Sequence, residues 1–217
     1  PVRPYSGLSD TFVAKLSASG SLEWNTFLGS AEWEQPGGIA AESGGVFVTG
    51  ESIATWGSPT REFSGYVEAY VAKLNTAGLL QWNAFLGSAG DDRGRAVVTT
   101  GSGGVSVVGD SDATWGDTPE RAYTGLQDTF VAALDADGQV LWNTFLGGTD
   151  NDNGRGVAVV GGGAVAVVGK SSRSWGSPGR AFSGTFDAFV AVVPSPPLAG
   201  PNATPTVATS SAGASLM

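Results

Sequence analysis

The chain has no cysteine, no histidine and a single methionine among its 217 residues. Those absences exclude disulfide staples, thiol chemistry, Cys/His zinc centres and the side chain most often used as a general base. Charge is also scarce. Charged residues make up 14% of the chain, and 11 basic residues face 20 acidic ones, for a formal net charge of −9. A protein that grips nucleic acid by its phosphates needs a basic footprint, which this chain lacks, and its acidity repels anionic membranes. No apolar run approaches the length that crosses a bilayer as a helix, and no signal peptide is visible. Glycine, by contrast, is abundant, with 34 residues beside 11 prolines, and 41% of the chain is hydrophobic. Many turn formers with enough apolar surface for a core describe a folded chain of short elements rather than a disordered one.

The chain repeats itself. DTFVAKL begins at Asp10, EAYVAKL at Glu68, DTFVAAL at Asp128 and DAFVAVV at Asp187, at spacings of 58, 60 and 59 residues. LEWNTFLG, LQWNAFLG and VLWNTFLG follow the first three and place Trp24, Trp82 and Trp142 in register. A third marker, ATWGSPTREFSG, ATWGDTPERAYTG and RSWGSPGRAFSG, carries Trp56, Trp115 and Trp175. Each unit holds four short segments rich in Val, Phe and Trp; in one unit they are residues 94–100, 104–111, 128–134 and 140–147. Such runs, bounded by Gly, Asp and Ser, read as strands, and the short Gly-ending turns between them read as antiparallel hairpins. We name the four strands A to D in chain order. No helical periodicity is present. The expected fold is all-β: four-stranded antiparallel blades of about 59 residues standing side by side as a β-propeller.

The runs DxFVAKL, WxTFLGG, DDRG and GGVxVxGxS resemble the bacterial SBBP-type β-propeller repeat, over roughly residues 1–193. The resemblance implies a secreted or cell-surface propeller that serves as a binding or scaffolding module, and it is uninformative about chemistry. The TWG marker departs from the family's more typical Phe-Pro loop, so the partner of that loop is expected to be peculiar to this protein. The strand count corresponds to C and D of one blade, two full blades, and A to C of another, a little over three blades where closure takes about four to eight. The expected partners are therefore further blades of a longer chain or a second copy of this one. Residues 194–217, rich in Pro, Ala, Ser and Thr and free of charge, read as a linker or tail, and Asn202-Ala203-Thr204 fits a glycosylation sequon.

Strand direction alternates, so the long B–C and D–A connections are expected on one face, opposite the short A–B and C–D turns. Loops of about 15 residues without their own structure are usually functional or packed. The D–A loops align Glu34, Asp92 and Asp152. One reading is a ring of carboxylates able to hold a cation such as Ca²⁺; the other is acids capping turn amides and pairing with Arg95 and Arg155. No other cofactor is implied. Trp56, Trp115 and Trp175 recur with Arg61, Arg121 and Arg180. They suit either stacking on a sugar ring or packing beneath their own loop with Arg bonded to carbonyls. Residues that break the repeat are the candidates for asymmetric recognition: Trp33, where other units have Asp91 and Asn151, and Lys170, which replaces Glu51 and Asp110. The leading function is a noncatalytic module binding protein or glycan through the long-loop face. The alternatives are a glycan hydrolase or lyase using loop carboxylates, and a structural spacer.

Overall fold

The computed structural model describes residues 1–101 and 103–195. They form four antiparallel sheets, with one three-residue 3₁₀ turn at Gly161–Gly163 as the only helical element among them. The first sheet pairs β1 (Thr11–Leu16) with β2 (Leu22–Leu28). The second runs in order through β3 (Glu34–Glu42), β4 (Gly45–Ser52), β5 (Glu68–Asn75) and β6 (Leu80–Leu86). The third repeats this with β7 (Asp92–Gly101), β8 (Gly104–Ser111), β9 (Asp128–Leu134) and β10 (Val140–Leu146). The fourth holds β11 (Asp152–Val159), β12 (Val165–Ser171) and β13 (Asp187–Val193). Strand A starts two residues earlier than the apolar pattern marks it: β7 begins at Asp92, which pairs in register with Ser111. A polar residue opens the strand there because a neighbouring strand and loop supply its hydrogen bonds.

The tight C–D turns are built by local side-chain chemistry. Asn75 Oδ1 accepts the amides of Ala77 and Leu79, and Asp135 Oδ1 accepts those of Asp137 and Gln139. Such turns close on a residue with positive φ, and Gly78 and Gly138 supply it at 77° and 79°.

Three apolar layers lie between consecutive sheets. Val13 and Leu28 of the first sheet pack with Val48, Tyr70 and Phe85 of the second. Phe47, Val71 and Trp82 of the second pack with Val107, Phe130 and Phe145 of the third. Val108, Val131 and Leu146 of the third pack with Val165, Val167 and Val193 of the fourth. The A strands of the second, third and fourth sheets also touch, β3 against β7 and β7 against β11. Trp24 and Trp82 lock neighbouring units together: their Nε1 groups donate to the carbonyls of Thr76 and Ala136, in the C–D turns of the next unit.

Strand B passes so close to strand C that one position admits no side chain. A Cβ on Gly109 would run into the Arg93 carbonyl oxygen and the Phe130 ring. Gly109→Ala is therefore expected to lower stability by about 1–3 kcal/mol, the usual cost of overpacking, read as a shift of the urea midpoint at unchanged slope.

The B–C loops depart from the expected geometry. They do not rise as a free rim but turn back along the outer edge of strand D as a strap. Thr60 N donates to Asn83 O at 2.8 Å and Phe85 N to Arg61 O at 3.1 Å. Glu120 and Asn143, and Phe145 and Arg121, repeat the pattern, as do Val2 with Asn25 and Phe27 with Arg3. The physical reason is the open edge of strand D: its amides and carbonyls need partners, and a parallel strap supplies them while hiding the edge from other chains.

Candidate functional site

The straps of the second, third and fourth sheets carry the recurring Trp and Arg, and in the second and third both are directed inward. Trp56 and Trp115 are buried. Trp115 makes edge-to-face contacts with Phe130 and Phe145 at 5.3 and 6.1 Å. Arg61 donates from Nη1 to Phe85 O and from Nη2 to Gly87 O, both at 2.7 Å, and Arg121 does the same to Phe145 O and Gly147 O. The guanidinium of each strap also lies over the indole of the next, Arg61 5.5 Å from the Trp115 ring centre and Arg121 5.5 Å from that of Trp175. These side chains fasten straps to strands and units to one another, and the faces of Trp56 and Trp115 are not presented to a sugar. Trp175 and Arg180 differ: Trp175 is half-buried, and Arg180 is exposed without a hydrogen bond or ion pair to the described residues.

The acids of the D–A loops are buried too. Glu34 accepts the Ser30 amide at 2.9 Å, Asp92 that of Ser88 at 2.8 Å and Asp152 that of Gly148 at 2.8 Å. They form no common ring. Each sits instead beside the acid that opens strand C of its neighbouring hairpin: a Cβ on Gly29 would meet the carboxylates of Glu34 and Asp10, and one on Gly147 those of Asp128 and Asp152. The strand C acids are caps in turn, with Ser64 donating through its amide and hydroxyl to Glu68 and Thr124 likewise to Asp128. Burial pushes Glu68, Asp128 and Asp152 above the usual carboxylate range. It drives Asp92 up to about 7, helped by the neighbouring Glu68 charge and opposed by bonds from Ser111 and Ser88. Among the described residues no three acidic side chains converge as a cation cage would need.

Arg95 and Arg155 do not pair with these acids, contrary to expectation. They line a row of charges along strands A and B. Arg93 Nε lies 3.2 Å from Glu51, Arg95 Nε donates to Asp110 at 2.9 Å, and Arg155 stands 3.9 Å from the same Asp110. Strand alternation turns Arg93 of β7 toward this row and leaves Asp92 on the other side, while Arg95 sits at the register shift between Gly94 and Ala96. Lys170 takes the acid's place in the fourth sheet and lies over Phe186, 5.1 Å from its ring centre.

Among the exposed apolar side chains, one set recurs at the loop end just before strand C. Leu8, Tyr66 and Leu126 occupy one position of the repeat and are 67%, 75% and 65% exposed. In the first unit they gain company. Trp33 is half exposed, its neighbour Ser9 bridges to it, and exposed Ile53 donates its amide to the Trp33 carbonyl. At the matching places the other units carry Asp91 with Asp112 and Asn151 with Ser172. Trp33 is legible in the sequence as a break in the repeat; Leu8, Tyr66 and Leu126 are not, since an apolar residue beside a strand reads as core. The tail with its sequon, residues 196–217, lies outside the described residues. No family model matches the chain, and no curated protein matches it.

Proposed function

We propose that the four sheets are blades of a β-propeller of the SBBP type, arranged about a shared axis, and that the module is a noncatalytic binding unit of an exported bacterial protein. The side-by-side sheets with buried layers between them, and the contacts among their A strands, support the first part. One observation carries the second: the patch of Leu8, Trp33 and Ile53 at the loop end, continued by Tyr66 and Leu126 at the repeat position of Leu8. Exposed apolar side chains rimmed by polar ones mark interaction surfaces. The rim on the neighbouring unit carries exposed Asp112, with Asp91 beside it paired to Arg93. A protein or glycan with an apolar face and cationic or hydroxyl groups beside it suits that surface.

The test compares the chain with Trp33→Ala and Tyr66→Ala on a glycan array and in turnover assays on polysaccharides. Binding is expected to fall by at least about tenfold in both variants, with urea midpoints unchanged because neither side chain is buried. Turnover of a polysaccharide overturns the noncatalytic reading. Glycan binding that the two substitutions leave intact overturns the assignment of the face, and silence in both assays overturns the glycan reading and leaves a protein ligand or a spacer.

A further inference from the structure

The fourth sheet shows what a strap looks like without strand D beneath it. In the second and third units strand D lies between strand C and the strap, and it satisfies both. Asn83 Nδ2 donates to the Trp56 carbonyl at 2.9 Å, and Asn143 Nδ2 to that of Trp115 at 2.8 Å. Phe85 and Phe145 meet the aromatic rings of their straps edge-on, and the carbonyls beside them take the Arg fork.

Around the fourth sheet the receiving half of every one of these contacts is already in place. The strap from Ser172 to Phe182 and the outer edge of β13 enclose a groove of about 380 Å³, lined by Trp175, Arg180, Phe182, Phe189 and Val190. Gly176 holds the same positive φ, 62°, as Gly57 and Gly116 at 72° and 81°. A Cβ on either of the latter would overlap the strand D asparagine, whereas around Gly176 there is open space. Val190 is 74% exposed where its counterparts Val71 and Val131 are fully buried. Residues 194–217 contain no W-N-x-F-L-G run.

We infer that this groove is an acceptor site for one β-strand of the sequence W-N-(T/A)-F-L-G. The internal copies specify the occupant. It must run antiparallel to β13, offer an Asn amide to the Trp175 carbonyl, put a Phe against Trp175 and Phe182, and present two carbonyls to Arg180. Main-chain pairing along an open strand gives affinity in such additions, and the pockets for alternate side chains give selectivity. None of the groove's residues belongs to the loop-end patch, so the two surfaces are tested separately.

A labelled peptide of the sequence at 138–150, GQVLWNTFLGGTD, is titrated into the full chain and followed by fluorescence anisotropy. Saturable one-to-one binding in the micromolar range is expected. Substituting the peptide's Asn or Phe by Ala should weaken it by roughly tenfold or more, and Arg180→Ala in the chain by a similar factor. Arg180 makes no bond within the described residues, so its loss leaves the fold intact. A second variant carries the sequence DADGQVLWNTFLGG between Val193 and Pro194, supplying the strand within the chain. It should resist urea better and no longer bind the peptide. A scrambled peptide that binds equally well, a lengthened chain that still binds, or no saturation by about 100 μM overturns the inference.

Discussion

Trp115→Ala is expected to destabilise the chain by about 3–5 kcal/mol, the cost of removing a large buried aromatic and leaving the cavity. The indole is buried between the second and third sheets, with Phe130 and Phe145 edge-on and Arg61 stacked over it from the preceding strap. Its removal strips packing from the central apolar layer and takes the ring from beneath a guanidinium that links two units. For a chain of this length each kcal/mol is worth about 2–4 °C in Tm, so a loss on the order of 10 °C should be visible by calorimetry. Trp33→Ala is the control. Its side chain is half exposed, and a change within about 0.5 kcal/mol is expected. If the recurring Trp were a sugar-stacking platform, the two substitutions would behave the other way round, with Trp115→Ala leaving the melting curve in place.

The repeat makes the strands legible because each carries its own signals: alternating apolar residues, an Asx or Gly turn, and a partner nearby in sequence. The register of the C–D hairpin between β9 and β10 follows from the DADG turn alone. The strap is not legible, since what holds it is a backbone edge that has no residue code. Arg61 looks the same in sequence whether its guanidinium points at a ligand or at the carbonyls of Phe85 and Gly87. The same limit applies to the acids. Spacing places Glu34, Asp92 and Asp152 at one repeat position, and that suggests a ring. Their true neighbours are the strand C acids, close in space because strand D brings the chain back beside the start of strand C. Identical units also explain why most recurring polar side chains are internal. A contact that closes each sheet against the next is needed once per unit, whereas a ligand needs its contacts once. Trp33, which breaks the pattern, is accordingly the tryptophan that stays at the surface.

The paired acids make stability depend on pH in an unusual direction. Asp92 ionises at about 7 in the folded chain because burial and the Glu68 charge oppose its anion, whereas in the unfolded chain it ionises at about 3.9. Folding therefore takes up a proton between those values. A carboxyl whose pKa is raised contributes fully below the unfolded value, and the contribution fades as pH climbs through the folded one. Each tenfold change in an ionisation constant corresponds to about 1.4 kcal/mol, so the loss across this window reaches up to about 4 kcal/mol for Asp92 alone. Glu68, Asp128 and Asp152 are raised in the same direction and add to it. The chain should be more resistant to urea at about pH 5.5 than at about pH 8.5, opposite to proteins whose carboxylates are held by cations. Asp92→Asn isolates the effect. Its amide oxygen still accepts the Ser88 N–H, but it carries no charge at any pH. The variant should match the parent only below the unfolded value of about 3.9, exceed it already at about pH 5.5, where the unfolded carboxyl is ionised, and exceed it further at the higher pH, with a flatter dependence between. Parallel pH profiles for the two chains would mean that Asp92 stays ionised in the fold and that the Glu68–Asp92 pair does not hold a proton.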